Sequence, residues 1–127
     1  MGKKIRVVLA VSLAVFAALM APSAVAGGLQ KYNSHIGISK MFPAFHGDVD
    51  AEVPQCVPLR KVQLYREKNG DDKRLGTDQT DGTGEWAITE ASDGFVLKSG
   101  AYYAKVNASL VGGKRCRKDL SRIVVVD

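Results

Sequence analysis

The side chains of this chain that bear on chemistry fall into four groups: two histidines, a set of acids, a set of cations and a few aromatics. His35 and His46 are the only histidines, with Met41 between them and Asp48 just after. Imidazole and thioether are ligands for a soft metal such as copper. Their spacing fits no recognised metal motif, so ordinary strand and loop histidines are the plainer reading. Asp71, Asp72, Asp78, Asp81 and Glu85 gather around two turns. Calcium draws oxygen ligands from such loops, yet this spacing departs from the Asp-x-Asp-x-Asp-Gly pattern, and Asp suits tight turns for local reasons. Lys114, Arg115, Arg117 and Lys118 flank Cys116. On a rigid loop they would attract an anionic envelope polymer or phospholipid head groups; as a solvated loop they would only keep the protein in solution.

Trp86, Tyr65 and Tyr103 have the flat amphipathic surface that stacks on a sugar or a partner protein. Catalysis finds less support. No nucleophile elbow, zinc-binding His pair or phosphate-cradling glycine loop is present, and no cofactor is implied. Asn107-Ala-Ser109 matches a glycosylation acceptor by pattern alone.

These residues need a scaffold, and the two ends of the chain say where it is built. Lys3, Lys4 and Arg6 precede an apolar run from Val7 to Met20, broken only by Ser12. Ala24-Val-Ala26 then supplies the small-x-small pattern of a cleavage site. This is the layout of a secretory signal peptide over residues 1–26, cut after Ala26. The run is too short for a membrane anchor, which needs about 20 apolar residues. The expected product is secreted, residues 27–127, with no stable membrane insertion after cleavage. The signal removes three of the 18 basic residues, so the mature domain would carry 15 against 13 acidic, a net charge of +2. The basic character of the whole chain therefore belongs largely to the signal, and nucleic acid is not an expected partner.

The remaining stretch is one domain in size. Its two cysteines, Cys56 and Cys116, read as a disulfide in an exported protein. Closing a loop of about 60 residues contributes roughly 4 kcal/mol in the chain-entropy picture.

Period-two alternation marks the strands. Tyr102, Ala104, Val106, Ala108 and Leu110 share one face of an expected strand over 102–110, with Tyr103, Lys105, Asn107 and Ser109 on the other. Val62 and Leu64 point inward from Arg60–Arg66, leaving Lys61, Gln63 and Tyr65 outward. Trp86 and Ile88 do the same within 84–90, and Ser121–Val126 reads as a sheet-interior run. Weaker strands fit 35–40, 44–50 and 74–78. Turns are expected at Asn69–Asp72, Asp81–Gly84, Ser92–Gly94 and Gly112-Gly113. About seven short strands and no helical repeat predict an all-β, antiparallel two-sheet sandwich, immunoglobulin-like or prealbumin-like, with its core over about 34–127. Tyr102, at the start of the expected penultimate strand, is placed to return its hydroxyl to the backbone as a tyrosine corner.

Cys56, Arg60-Lys-Val-Gln-Leu-Tyr65, Leu75-Gly-Thr-Asp78, Thr80-Asp-Gly-Thr-Gly-Glu-Trp86, Gly100-Ala-Tyr-Tyr-Ala-Lys-Val106, Cys116 and Ser121-Arg-Ile-Val124 follow one another in an order that resembles exported bacterial proteins of the carboxypeptidase regulatory-like, transthyretin-related sandwich type. The resemblance spans about residues 45–126 and implies the sandwich fold. The Tyr-Arg-Gly-Ser-type C-terminal signature of the transthyretin-related hydrolases is absent, the chain ending Ile-Val-Val-Val-Asp127, so their activity is not implied. The functional expectation is a secreted, non-enzymatic binding module for a cell-envelope component, a polysaccharide or a protein. Tyr65, Tyr103, Lys114, Arg115, Arg117 and Lys118 are its expected ligand surface. The alternatives are a small exported hydrolase or metal-handling protein using His35 and His46, and an extracellular protease inhibitor.

Overall fold

A computed structural model describes residues 29–41 and 44–127. The expected signal peptide lies outside the described residues. Apolar side chains at alternate positions build the main strands. β1 (Lys31–Tyr32), β2 (Ser34–Ile36) and β3 (Ser39–Met41) lead into β4 (Ala44–Ala51) and a 3-10 turn at Pro54–Cys56. β5 (Lys61–Arg66), β6 (Lys73–Gln79) and β7 (Glu85–Thr89) follow, then one helical turn, α1 (Glu90–Asp93). β8 (Gly100–Val106), β9 (Ser109–Val111), β10 (Lys114–Cys116), β11 (Asp119–Leu120) and β12 (Val124–Val126) complete the chain.

Two sheets form the expected antiparallel sandwich. One has the order β6–β5–β8, with β11 and β12 sharing the outer edge of β8. The other places β4 between β7 and the pair β2, β3. Val62, Leu64, Tyr102, Ala104 and Val106 from the first sheet meet Ile36, Phe45, Val49, Trp86 and Ile88 from the second. Phe45 and Tyr102 bring the sheets together with ring centroids 4.9 Å apart. The indole of Trp86 fits because β4 has no side chain at Gly47; a Cβ there would collide with the Gly37 carbonyl and lie 3.1 Å from Trp86 Nε1. The Tyr102 hydroxyl donates to the Lys98 carbonyl and accepts from the Lys98 amide, which is the expected tyrosine corner.

Twelve strands are described rather than about seven, because short strands join the longer ones and build a third sheet, β1–β10–β9. The strand expected over 102–110 ends at Val106. Asn107 donates its amide to the Lys61 carbonyl, and the chain turns away, leaving Ala108 and Leu110 exposed. Tyr102 therefore opens the eighth of twelve strands, not the penultimate one. Nor is Ser121–Val126 a sheet interior. Ser121 occupies the edge of β8 with its hydroxyl, accepting from the Ala104 amide at 2.8 Å, and only Val124–Val126 then pair, at the sheet edge, with Val125 exposed. Ser92–Gly94 closes α1, with Gly94 in the left-handed conformation at its C-cap.

Cys56 and Cys116 are bonded, both fully buried, with Cα atoms 5.6 Å apart. The bond ties the 3-10 turn to the third sheet and fits an oxidising compartment. No helix among the described residues is long and apolar enough to cross a membrane.

Candidate ligand-binding surface

β5 and β8 are neighbours in register, so Tyr65 stands directly opposite Tyr103. Both side chains point away from the core, and their rings stack 5.3 Å apart at 14°. The Tyr103 hydroxyl donates to the Asp72 carboxylate from the β5–β6 turn, and the Tyr65 hydroxyl to Gln63 Oε1 at 3.3 Å. Burial, and next the bond to Asp72, push the Tyr103 phenol up to about 12.

Beside this stack lies a depression of about 570 Å³, bounded by both tyrosines, Lys105, Lys118, Asp119 and Leu120. Strand geometry explains the set. Lys105 lies two residues beyond Tyr103 on the same face, and its register partner across β8–β11 is Leu120. Asp119 turns its carboxylate elsewhere, accepting from the Ile36 amide at 2.9 Å and lying 3.8 Å from His35 Nδ1. Among the described residues neither Lys105 nor Lys118 has a carboxylate at ion-pair distance, and residues 1–28, 42 and 43 contain no Asp or Glu. The surface thus offers aromatic area, one exposed leucine and two ammonium groups outside ion-pair distance of any described carboxylate, with the carboxylates of Asp119 and Asp72 at its border.

The structure divides the other expected site residues. Lys118 joins the two tyrosines, whereas Lys114 and Arg115 lie within β10, in a strand rather than on a loop tip. Arg117 follows, exposed, and its amide donates to the Tyr32 carbonyl. His35 stands opposite Asp50, and His46 opposite Ser39. Four residues of β4 therefore separate the two histidine levels, roughly 13 Å along a strand, too far to share one ion. Among the described residues no group of three or more His, Cys, Asp or Glu is disposed to hold a metal.

The acidic set splits likewise. Asp71 and Asp72 precede β6, while Asp78, Asp81 and Glu85 border a depression of about 660 Å³ near His46 and Asp48. Much of that charge serves the backbone. The Asp81 carboxylate accepts from the amides of Glu85 and Thr83 and from the Thr83 hydroxyl, at 2.8–2.9 Å, which holds it below the usual carboxylate range. Asp78 accepts the Ala87 amide at 2.8 Å. The larger depression is therefore built from turn-forming groups, whereas in the smaller one the two lysine ammonium groups have no carboxylate at ion-pair distance among the described residues.

Lys105, Leu120 and Arg60 are the residues that sequence reasoning passed over. Alternation already put Lys105 on the face of Tyr103, so its place was legible. Arg60 reads in sequence as the first residue of a strand, yet it is fully buried, with no carboxylate partner among the described residues. Its Nη1 donates to the Cys56 carbonyl and the Ser34 hydroxyl, and its Nη2 to the carbonyls of Asn107 and Arg117, at 2.6–3.0 Å. Burial lowers its pKa. No spacing rule announces such a group, because its acceptors come from four separate segments.

No protein-family model and no curated protein matches the chain. The class is therefore stated from the structure: a disulfide-bonded, all-β sandwich with a third small sheet at the disulfide.

Proposed function

We propose that this is an exported, non-enzymatic binding module whose ligand is a cell-envelope polysaccharide bearing negative charge. The observation that carries the reading is the Tyr65–Tyr103 stack bordering a depression with Lys105 and Lys118 free. Aromatic side chains offer apolar area to the C–H face of a sugar ring. The two ammonium groups, neither held in an ion pair, favour an acidic sugar or a phosphate substituent on it. The basic N-terminal segment, the apolar run after it and the disulfide support export. The resemblance to carboxypeptidase regulatory-like domains agrees with a sandwich that acts as a scaffold for surface residues.

Binding to envelope polysaccharides, measured by calorimetry at low and moderate salt, tests this reading. Tyr103→Ala should weaken an acidic glycan about tenfold or more, as removal of a central aromatic does at other interfaces. Replacing Lys105 and Lys118 with Ala should weaken binding and flatten its salt dependence, because exposed charges are screened over about 8 Å at physiological ionic strength. Binding that ignores all three substitutions would contradict the reading.

A further inference from the structure

The third sheet has a face of its own. β10 runs between β1 and β9, parallel to the first and antiparallel to the second. The register aligns Lys31 with Arg115 and Arg115 with Leu110, so the three stand in one row across the sheet. All three are exposed, Leu110 at 63 %. Strand alternation sends Cys116 to the opposite side, into the disulfide, and returns the exposed Arg117 to the side of Arg115. Of the cations around Cys116, Arg115 and Arg117 share this side, whereas Lys114 falls with Cys116 by alternation and Lys118 borders the tyrosine depression.

This row concentrates positive charge on one exposed face. Lys31 and Arg115 are like charges on register partners of a parallel pair, so their charges lie side by side in water. Among the described residues neither has a carboxylate at ion-pair distance. A negatively charged partner complements this charge. The leucine narrows the choice further, since a soluble polyanion leaves Leu110 in water, whereas the head-group and acyl boundary of a bilayer takes it up. The turn that presents the row is short and built for its shape. Gly112 and Gly113 form a two-residue hairpin loop with φ of 50° and 80°.

We propose that the outer face of the β1–β10–β9 sheet is a peripheral docking surface for an anionic phospholipid bilayer, with Lys31, Arg115 and Arg117 over the head groups and Leu110 at the acyl boundary. The surface is separate from the tyrosine depression and does not depend on it. Attachment is reversible, since one leucine and three cations supply far less than a spanning helix.

The test uses processed protein, its N-terminus checked by mass and its disulfide by the absence of free thiols. Partitioning is measured on vesicles of mixed phosphatidylglycerol and phosphatidylcholine, and on phosphatidylcholine alone. The expected result is binding to the anionic vesicles only, weakened about fivefold by either Lys31→Ala or Arg115→Ala and about tenfold by Leu110→Ala. In Leu110→Trp the new indole should shift to the blue and be quenched by brominated lipid, against a constant background from Trp86, which is 3 % exposed. Absence of partitioning would overturn the proposal. So would binding that is indifferent to Leu110→Ala and equally tight to soluble polyphosphate, because that pattern needs charge alone. Retained thermal melting in each variant excludes misfolding as the cause.

Discussion

The sandwich and the third sheet are held by different physics. In the sandwich, alternate residues of each strand enter one apolar core, from Val62 and Leu64 on one side to Phe45 and Ile88 on the other. In β1, β9 and β10 only Cys116 is buried. That sheet has no apolar core, and the backbone pairing of three short strands would not hold it alone. Its place is fixed by the disulfide and by Arg60, which donates to the carbonyls of Asn107 and Arg117 on either side of β9 and β10. A region can thus be anchored without a core when covalent and polar ties replace it. Such a region also leaves its outward positions free for cations, which a packed sheet face could not tolerate.

Removing the disulfide should separate the two regions most sharply. Cys56→Ser with Cys116→Ser is expected to cost about 4 kcal/mol, measured by denaturant unfolding. Hydrogen exchange should show β9 and β10 losing protection first, with β5 and β8 opening only in global unfolding. Uniform loss of protection would mean that the regions form one cooperative unit and that the contrast is false.

Arg60→Met attacks the same end from inside. It leaves the carbonyls of Cys56, Asn107 and Arg117 without their guanidinium donor, for an expected loss of about 3 kcal/mol with the disulfide intact. Arg60→Lys should not restore the loss, because one ammonium cannot reach acceptors from four segments in a planar fork. Full stability in Arg60→Met would show that packing alone holds the junction.

The smallest effect lies on the tyrosine face. Tyr103 is pushed up to about 12, so the folded state keeps its phenolic proton where the unfolded chain, near 10, loses it. The associated stabilisation is fully present below about pH 10 and falls away as pH rises towards about 12. Asp72→Asn removes the charge that faces the hydroxyl and should lower the Tyr103 midpoint, read by ultraviolet absorbance, with little change in melting at neutral pH. An unmoved midpoint would assign the shift to burial alone.

The same division explains what was legible in the sequence. Alternation located β5, β7 and β8 and sent Tyr65 and Tyr103 outward, because one buried face writes a period of two into the residues. The tyrosine corner followed from position in the strand. The third sheet left no such trace. Its strands are two or three residues long, and β1 pairs in parallel with a segment more than eighty residues away. The apparent alternation at Ala108 and Leu110 runs past the true strand end, since an exposed apolar residue in the connection or on the third sheet looks the same in sequence as a buried one on the first. Lys118 was placed with the basic residues by neighbourhood in sequence, while three dimensions placed it with the tyrosines.

The proposed binding role stands most directly on one measurement: calorimetric titration of an acidic envelope polysaccharide into the folded protein, beside Tyr103→Ala with its disulfide intact. Saturable, salt-sensitive heat from the first, reduced about tenfold in affinity in the second, is the predicted result. Equal affinity for both proteins would place the ligand elsewhere and contradict a site at the tyrosine stack.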